Sequence, residues 1–165
     1  CHAAASLERK SMIEGPAAAY QLPALAKRVD FFSVGTNDLT QYLLAVDRNN
    51  TQVAPLFDSL HPAVLATLQW ITQTAQRCQR PLSVCGELGG DPLGAVLLLG
   101  MGVRQLSMAS GSLLRVKAII RHFPQGTAAA LLTQALACES GAEVRLLVQH
   151  ALEEAELGHL LTRLN

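Results

Sequence analysis

The stretch DFFSVGTNDLTQYLLAVDR, residues 30–48, places three polar side chains just after an apolar run. Asp38 can hold a hard cation through its carboxylate oxygens. Asn37 can donate its amide hydrogens to an anion. Arg48 can grip a phosphate or carboxylate with two parallel N–H donors. The same residues also have an ordinary reading. Asn-Asp ahead of a helix is common capping chemistry, and Arg48, next to Asp47, can form an exposed ion pair.

The elements around these residues decide between the readings. Phe31-Phe32-Ser33-Val34 is short and apolar enough for a buried strand, and Gly35-Thr36-Asn37 breaks it. Residues 38–44 continue with helical spacing of their apolar positions. Thr36 or Asn37 is expected as the N-cap, with Asp38 in the first turn. The order is strand, tight turn, helix. In parallel α/β architectures, ligands bind where such turns open at the strand ends.

Other reactive residues fall at matching places. A strand ending near Glu14 is stopped by Gly15-Pro16, and a helix over residues 17–28 carries Pro23 as a kink or restart. A loop over residues 47–60 follows the central helix. His61-Pro62 opens a long helix to about residue 79, with an apolar stripe at Ala63, Leu65, Leu68, Ile71, Thr72 and Ala75. Residues 82–85 form the third strand, ended by Gly86-Glu87. Gly89 to Pro92 starts the next helix, over residues 93–99. Residues 104–108 form a fourth strand, and Ser110-Gly111-Ser112 caps the helix over 113–122. Two more helices follow over about 127–138 and 142–158, and residues 162–165 are expected to fray. Four βα units and extra helices imply a parallel sheet covered by helices, either an open sheet or a piece of a larger barrel.

Bulk properties narrow the function classes. The chain has 165 residues, of which half are hydrophobic, so a packed core is expected and disorder is not. Lys plus Arg and Asp plus Glu number 13 each, so no basic field favours nucleic acid. No apolar run approaches the ~20 residues of a membrane helix, and the opening CHAAASLERK has no secretory core. The four cysteines form no CxxC pair and the five histidines show no metal spacing. A reducing, cytoplasmic setting is the expectation. Cys78, Met101 and Met108 read as structural residues, and His61 as a helix-start residue.

Taken in order, MIEGP (12–16), SVGTNDLTQYLLAVDR (33–48), SLHPAVL (59–65), VCGELGGDP (84–92) and LLLGMGVRQLSM (97–108) resemble the C-terminal part of the phosphoenolpyruvate-utilising barrel. Within that family the chain looks like Enzyme I of the phosphoenolpyruvate:sugar phosphotransferase system, and most like its nitrogen-regulatory paralogue. AVDRNN after GTNDLTQY favours Enzyme I over pyruvate phosphate dikinase and phosphoenolpyruvate synthase, which share the barrel. The resemblance implies an α/β fold, the C-terminal half of a (βα)8 TIM barrel, over residues 12–165. Residues 1–11 are expected to be an unrelated or disordered leader, because Leu7 to Ser11 is too charged for the family's apolar strand. Gly15 stands where the family has a larger residue.

The resemblance further implies phosphoryl transfer from phosphoenolpyruvate to a histidine, giving pyruvate. That histidine lies on a separate N-terminal domain outside these residues, from which an HPr-like carrier collects the phosphoryl group. Glu14 and Asp38 resemble the carboxylates that hold Mg2+. Asn37 and Arg48 resemble the contacts to the substrate phosphate, and Cys85 the acid that protonates the enolate carbon. Glu87 is expected to orient its neighbours. Each residue has a plainer reading too: Glu14 as a strand-end carboxylate, Cys85 as a small buried apolar residue. A homodimer is the expected assembly. The isolated chain is expected to be inactive, and a non-catalytic interaction remnant is the alternative.

Overall fold

Alternation along four short strands determines which side of the sheet meets the helices. A computed structural model describes residues 8–161. The expected leader up to residue 7 and the frayed tail over 162–165 lie outside the described residues. Strands β1 (Lys10–Ile13), β2 (Phe31–Gly35), β3 (Leu82–Cys85) and β4 (Gln105–Ser107) pair in parallel in the order β1-β2-β3-β4. One register row reads Ile13, Val34, Val84, Leu106. The first three are buried, and Leu106 packs against the same core. The rows on either side project to the opposite face. They read Met12, Ser33, Ser83, Gln105 and then Gly35, Cys85, Ser107. The sheet is apolar toward its helices and polar toward its concave side. This is a partial (βα) barrel, the class the sequence implies.

The helices are α1 (Pro16–Tyr20), α2 (Leu22–Leu25), α3 (Thr36–Leu44), α4 (Pro62–Arg77), α5 (Glu87–Gly90), α6 (Pro92–Gly100), α7 (Ser110–His122), α8 (Gln125–Ala135) and α9 (Gly141–Glu154). Short 3-10 turns cover Ala54–Leu56 and Gly158–Leu160. The helix α6 is apolar all round, with Pro92 through Leu98 buried, so it runs through the middle of the packing rather than along its surface. Among the described residues β1 and β4 are the open edges of the sheet.

Several boundaries differ from the expectations. Strand β1 reaches back to Lys10 and Ser11, which pair with Phe31 and Phe32. The helix expected over 17–28 is two helices, broken at Gln21. Pro23 lacks an N–H and its ring would strike the carbonyl four residues back, so it sits in the first turn of a restarted helix. On α4, Ala63 is exposed and Val64 takes the place expected for it in the buried stripe. The chain after Gly86 turns at once into α5, and α6 then restarts at Pro92. Helix α7 begins at Ser110 without a side-chain cap, so Ser110 to Ser112 do not serve as one.

Asp91 caps α6: its Oδ2 accepts the Gly94 N–H at 3.0 Å. Burial pushes its carboxyl above the ordinary value of 3.8, while the Gly94 hydrogen bond and the charges of Arg145 and Arg115 pull it back. The folded chain therefore holds this proton more tightly than the unfolded one. The stability this group contributes is full below pH 3.8 and is lost as pH rises through the raised folded value. Asn at this position keeps the cap acceptor and removes the buried charge. Asp91→Asn is expected to match or exceed the parent in urea unfolding at pH 7, and to lose the stabilisation the parent gains on acidification. Asp91→Ala is expected to lose ~1 kcal/mol with the cap.

Candidate functional site

The ends of β1, β2 and β3 form one edge of the sheet, and each delivers a candidate residue there. Glu14 follows β1 directly. Its carboxylate lies over Gly35: a Cβ built on that glycine would stand 2.8 Å from both Glu14 Cγ and Oε1. Any side chain at Gly35 would push the carboxylate off the strand end.

Helix α3 begins immediately after Gly35, which is itself the N-cap. This corrects the expectation that Thr36 or Asn37 caps it. Both side chains are committed across the sheet instead. Thr36 Oγ1 donates to the Cys85 carbonyl at 3.0 Å, and Asn37 Oδ1 accepts the Glu87 N–H at 3.1 Å. With Oδ1 pinned, the Asn37 amide hydrogens have no acceptor among the described residues at the strand edge. Asp38 lies in the first turn of α3, where the exposed N–H groups of the helix end favour negative charge.

Arg48 returns to Asp38 through the end of the same helix. Ala45 adopts a left-handed conformation at the C-terminus, and the Val46 N–H reaches back to the Gln41 carbonyl at 2.9 Å. Gln41 Oε1 accepts the Arg48 N–H at 3.4 Å. Arg48 Nη2 then stands 3.7 Å from Asp38 Oδ1, with the two side chains 40% and 43% exposed. The pair with Asp47, the plainer of the two readings of Arg48, is not the one formed. Asp47 Oδ1 instead accepts the Asn49 N–H at 2.8 Å, a local turn.

Cys85 ends β3 on the polar face. Its thiol donates to the Val34 carbonyl at 3.3 Å and accepts from Ser33 Oγ at 3.7 Å. It is half-buried and unoxidised, as are Cys78 and Cys138. A cleft of about 1010 Å³ opens beside it, lined by Asn37, Cys85, Glu87, Asp91, Arg115 and Arg145 among others. Glu14, Asp38 and Arg48 are not in its walls. The structure therefore joins Asn37 to Cys85 in one cleft and pairs Asp38 with Arg48 beside it. His61 caps α4 through Nδ1, which accepts the Ala63 N–H at 3.1 Å, the helix-start role expected of it. A groove of about 460 Å³ between α6 and α7 is lined by Arg104, Lys117 and Arg121 but has neither carboxylate nor thiol, so it offers neither a metal-type ligand nor the acid.

Two carboxylates on adjacent strand ends are a donor set for a hard cation that keeps water and takes oxygens from substrate. Among the described residues no group of three or more His, Cys, Asp or Glu stands ready to hold a metal without substrate. The open space on Gly35 that admits the Glu14 carboxylate fits that use.

Residues 2–124 match the family described as PEP-utilising enzyme, PEP-binding domain. The chain belongs to this family. A Salmonella typhimurium protein named phosphoenolpyruvate-dependent phosphotransferase system is 47% identical over 91% of the chain, and the match covers 20% of that relative. A Xanthomonas campestris multiphosphoryl transfer protein is 50% identical over 82% of the chain and is covered to 16%. A Cupriavidus necator phosphoenolpyruvate-protein phosphotransferase is 53% identical over 68% and is covered to 19%. The chain thus spans about a fifth of the length of the relatives it matches. Among the described residues no helix is long and apolar enough to cross a membrane.

Within this PEP-binding domain, sequence reasoning passes over two residues. Ser33 is 4% exposed and meets the thiol directly. The available signal is one hydroxyl inside the run Phe31-Phe32-Ser33-Val34, on the same strand face as Gly35. Arg115 lines the cleft with its Nε buried and, among the described residues, without a hydrogen-bond partner. Its sequence context, an arginine on an amphipathic helix, carries no such signal.

Proposed function

We propose that this domain binds phosphoenolpyruvate with Mg2+ and serves the transfer of its phosphoryl group to a histidine on a separate domain, leaving pyruvate. The observation that carries this reading is the Asp38–Arg48 pair, a metal-type carboxylate and a phosphate-type guanidinium 3.7 Å apart at the ligand-binding edge of a parallel sheet. Glu14 and Asp38 would hold Mg2+, which when bound supplies neutralising charge to the enolpyruvate oxygens. Arg48, half exposed, is free to turn its fork onto the phosphoryl oxygens. The Asn37 amide donates to the same group. Cys85, on the polar face of β3, gives its proton to the enolate carbon as general acid. An HPr-like carrier would receive the phosphoryl group from the histidine domain, and the assembly would be a homodimer in the cytoplasm.

Calorimetric titration of the chain with phosphoenolpyruvate, with and without Mg2+, tests this reading. Heat that depends on Mg2+ is the expected result. A second reading, an interaction module without ligand, draws on the open edges β1 and β4 and on the exposed Leu113 and Leu114 of α7. A folded, self-associating chain that gives no heat would establish that second reading and overturn the first.

A further inference from the structure

We propose that Ser33 is a positioning residue for the Cys85 thiol, orienting it before proton transfer and stabilising the sulfur afterwards. The inference rests on the reading of Cys85 as the acid. Ser33 and Cys85 come from different strands, β2 and β3, and lie on the same polar face of the sheet. The two nearby serines of that face differ in what their hydroxyls do. Ser83 Oγ donates to the Phe32 carbonyl at 3.4 Å, a backbone contact. Ser33, 4% exposed, donates to the Cys85 sulfur at 3.7 Å. The thiol proton meanwhile points at the Val34 carbonyl, 3.3 Å away. The sulfur is thus held on two sides, by one donor and one acceptor.

These two contacts have opposite uses. While the thiol rests, Val34 holds its proton away from the cleft. When an enolate carbon takes that proton, the S–H bond breaks, a C–H bond forms, and a thiolate remains. The Val34 carbonyl can do nothing for a thiolate, since both are acceptors. The Ser33 hydroxyl can, because a donor to a charged acceptor is roughly twice as strong as a neutral one. Burial keeps water from competing for the Ser33 proton.

The test reads the thiol without any substrate. The chain and its Ser33→Ala, Ser33→Thr and Ser83→Ala variants are treated with iodoacetamide at one fixed pH near neutrality, where an ordinary thiol is mostly protonated, and Cys85 and Cys78 alkylation are followed separately by peptide mass spectrometry. The thiolate is the reacting form. Ser33→Ala is expected to slow Cys85 alkylation by ~5–10-fold. Ser33→Thr, which keeps the hydroxyl, is expected to restore it to within about twofold, and Ser83→Ala and Cys78 to be unaffected. An unchanged or faster Cys85 in Ser33→Ala overturns the proposal, as does equal slowing by Ser83→Ala or failure of threonine to rescue. Because no substrate is present, a failed phosphoenolpyruvate titration would leave this result intact. An absent Ser33 effect would likewise leave the binding reading standing.

Discussion

Asp38→Ala is expected to weaken the proposed Mg2+-dependent phosphoenolpyruvate binding at least tenfold while the chain stays folded. The two halves of that expectation have separate causes. The pair with Arg48 is long, at 3.7 Å, and both partners are more than a third exposed, so its loss costs the fold ~0–1 kcal/mol. Asp38 is the acidic residue of the first turn of α3, and losing that charge at the helix N-terminus adds ~0.3–1 kcal/mol. The cation suffers far more. With only Glu14 left of the two proposed ligands, one carboxylate would have to hold an ion that gives up its water reluctantly. At least a tenfold loss of Mg2+-dependent affinity is expected, which is the free energy of about one charge-assisted contact. Arg48→Ala makes the complementary case: both carboxylates remain, but the phosphate loses its bidentate donor, so phosphoenolpyruvate affinity is expected to fall whether or not Mg2+ is present. The pair of variants therefore separates metal from phosphate. Titration of each with phosphoenolpyruvate, with and without MgCl2, reads the two contributions, and a variant of either kind that binds like the parent would remove that residue from the site.

Much of this arrangement is legible in the amino-acid sequence, and the reason is locality. The strand over Phe31 to Val34, the turn after it and the helix carrying Asp38 are each decided within a few residues by apolar spacing and by glycine. The same holds for β3 and for α4. The failures are equally physical. Pro23 forces a break whose position at Gln21 depends on how α1 and α2 settle on the core. Thr36 reads as a cap because cap chemistry is local, yet its hydroxyl goes to the Cys85 carbonyl, 49 residues away. Asn37 goes the same way, to Glu87, 50 residues away. Both partners exist only once Gly35 and Cys85 stand in register. The Ser33 contact to Cys85, 52 residues apart, is out of reach for the same reason. Residue types at a site can be read from the chain. Which of them are committed to each other, and which are left free for a ligand, is set by strand pairing.

The residue that enforces this commitment is Gly86, and Gly86→Ala is expected to cost the fold ~2–5 kcal/mol. Two independent terms contribute. Gly86 adopts φ 110° and ψ −179°, a region open essentially to glycine alone, and a side chain there costs ~1–3 kcal/mol in backbone strain. An added Cβ would also overlap Thr36 Oγ1 and stand 3.1 Å from Asn37 Oδ1. Thr36 is fully buried and cannot swing away without leaving the Cys85 carbonyl unpaired. Against a total stability of ~5–15 kcal/mol, such a loss should appear as a large drop in the urea midpoint. A double-mutant cycle separates the terms. Thr36→Ala alone is expected to lose ~1–2 kcal/mol with its hydrogen bond. Combined with Gly86→Ala it removes the overlap but not the strain, so the double variant should be more stable than the sum of the singles predicts, by ~1 kcal/mol or more. A single Gly86→Ala that loses less than ~0.5 kcal/mol would mean that the β3 end does not turn this way. The consequence for ligand follows from the same contacts. Asn37 and Cys85 hold their places through the backbone on either side of Gly86, so a chain that relaxes to admit the methyl group should lose phosphoenolpyruvate affinity even where it remains folded.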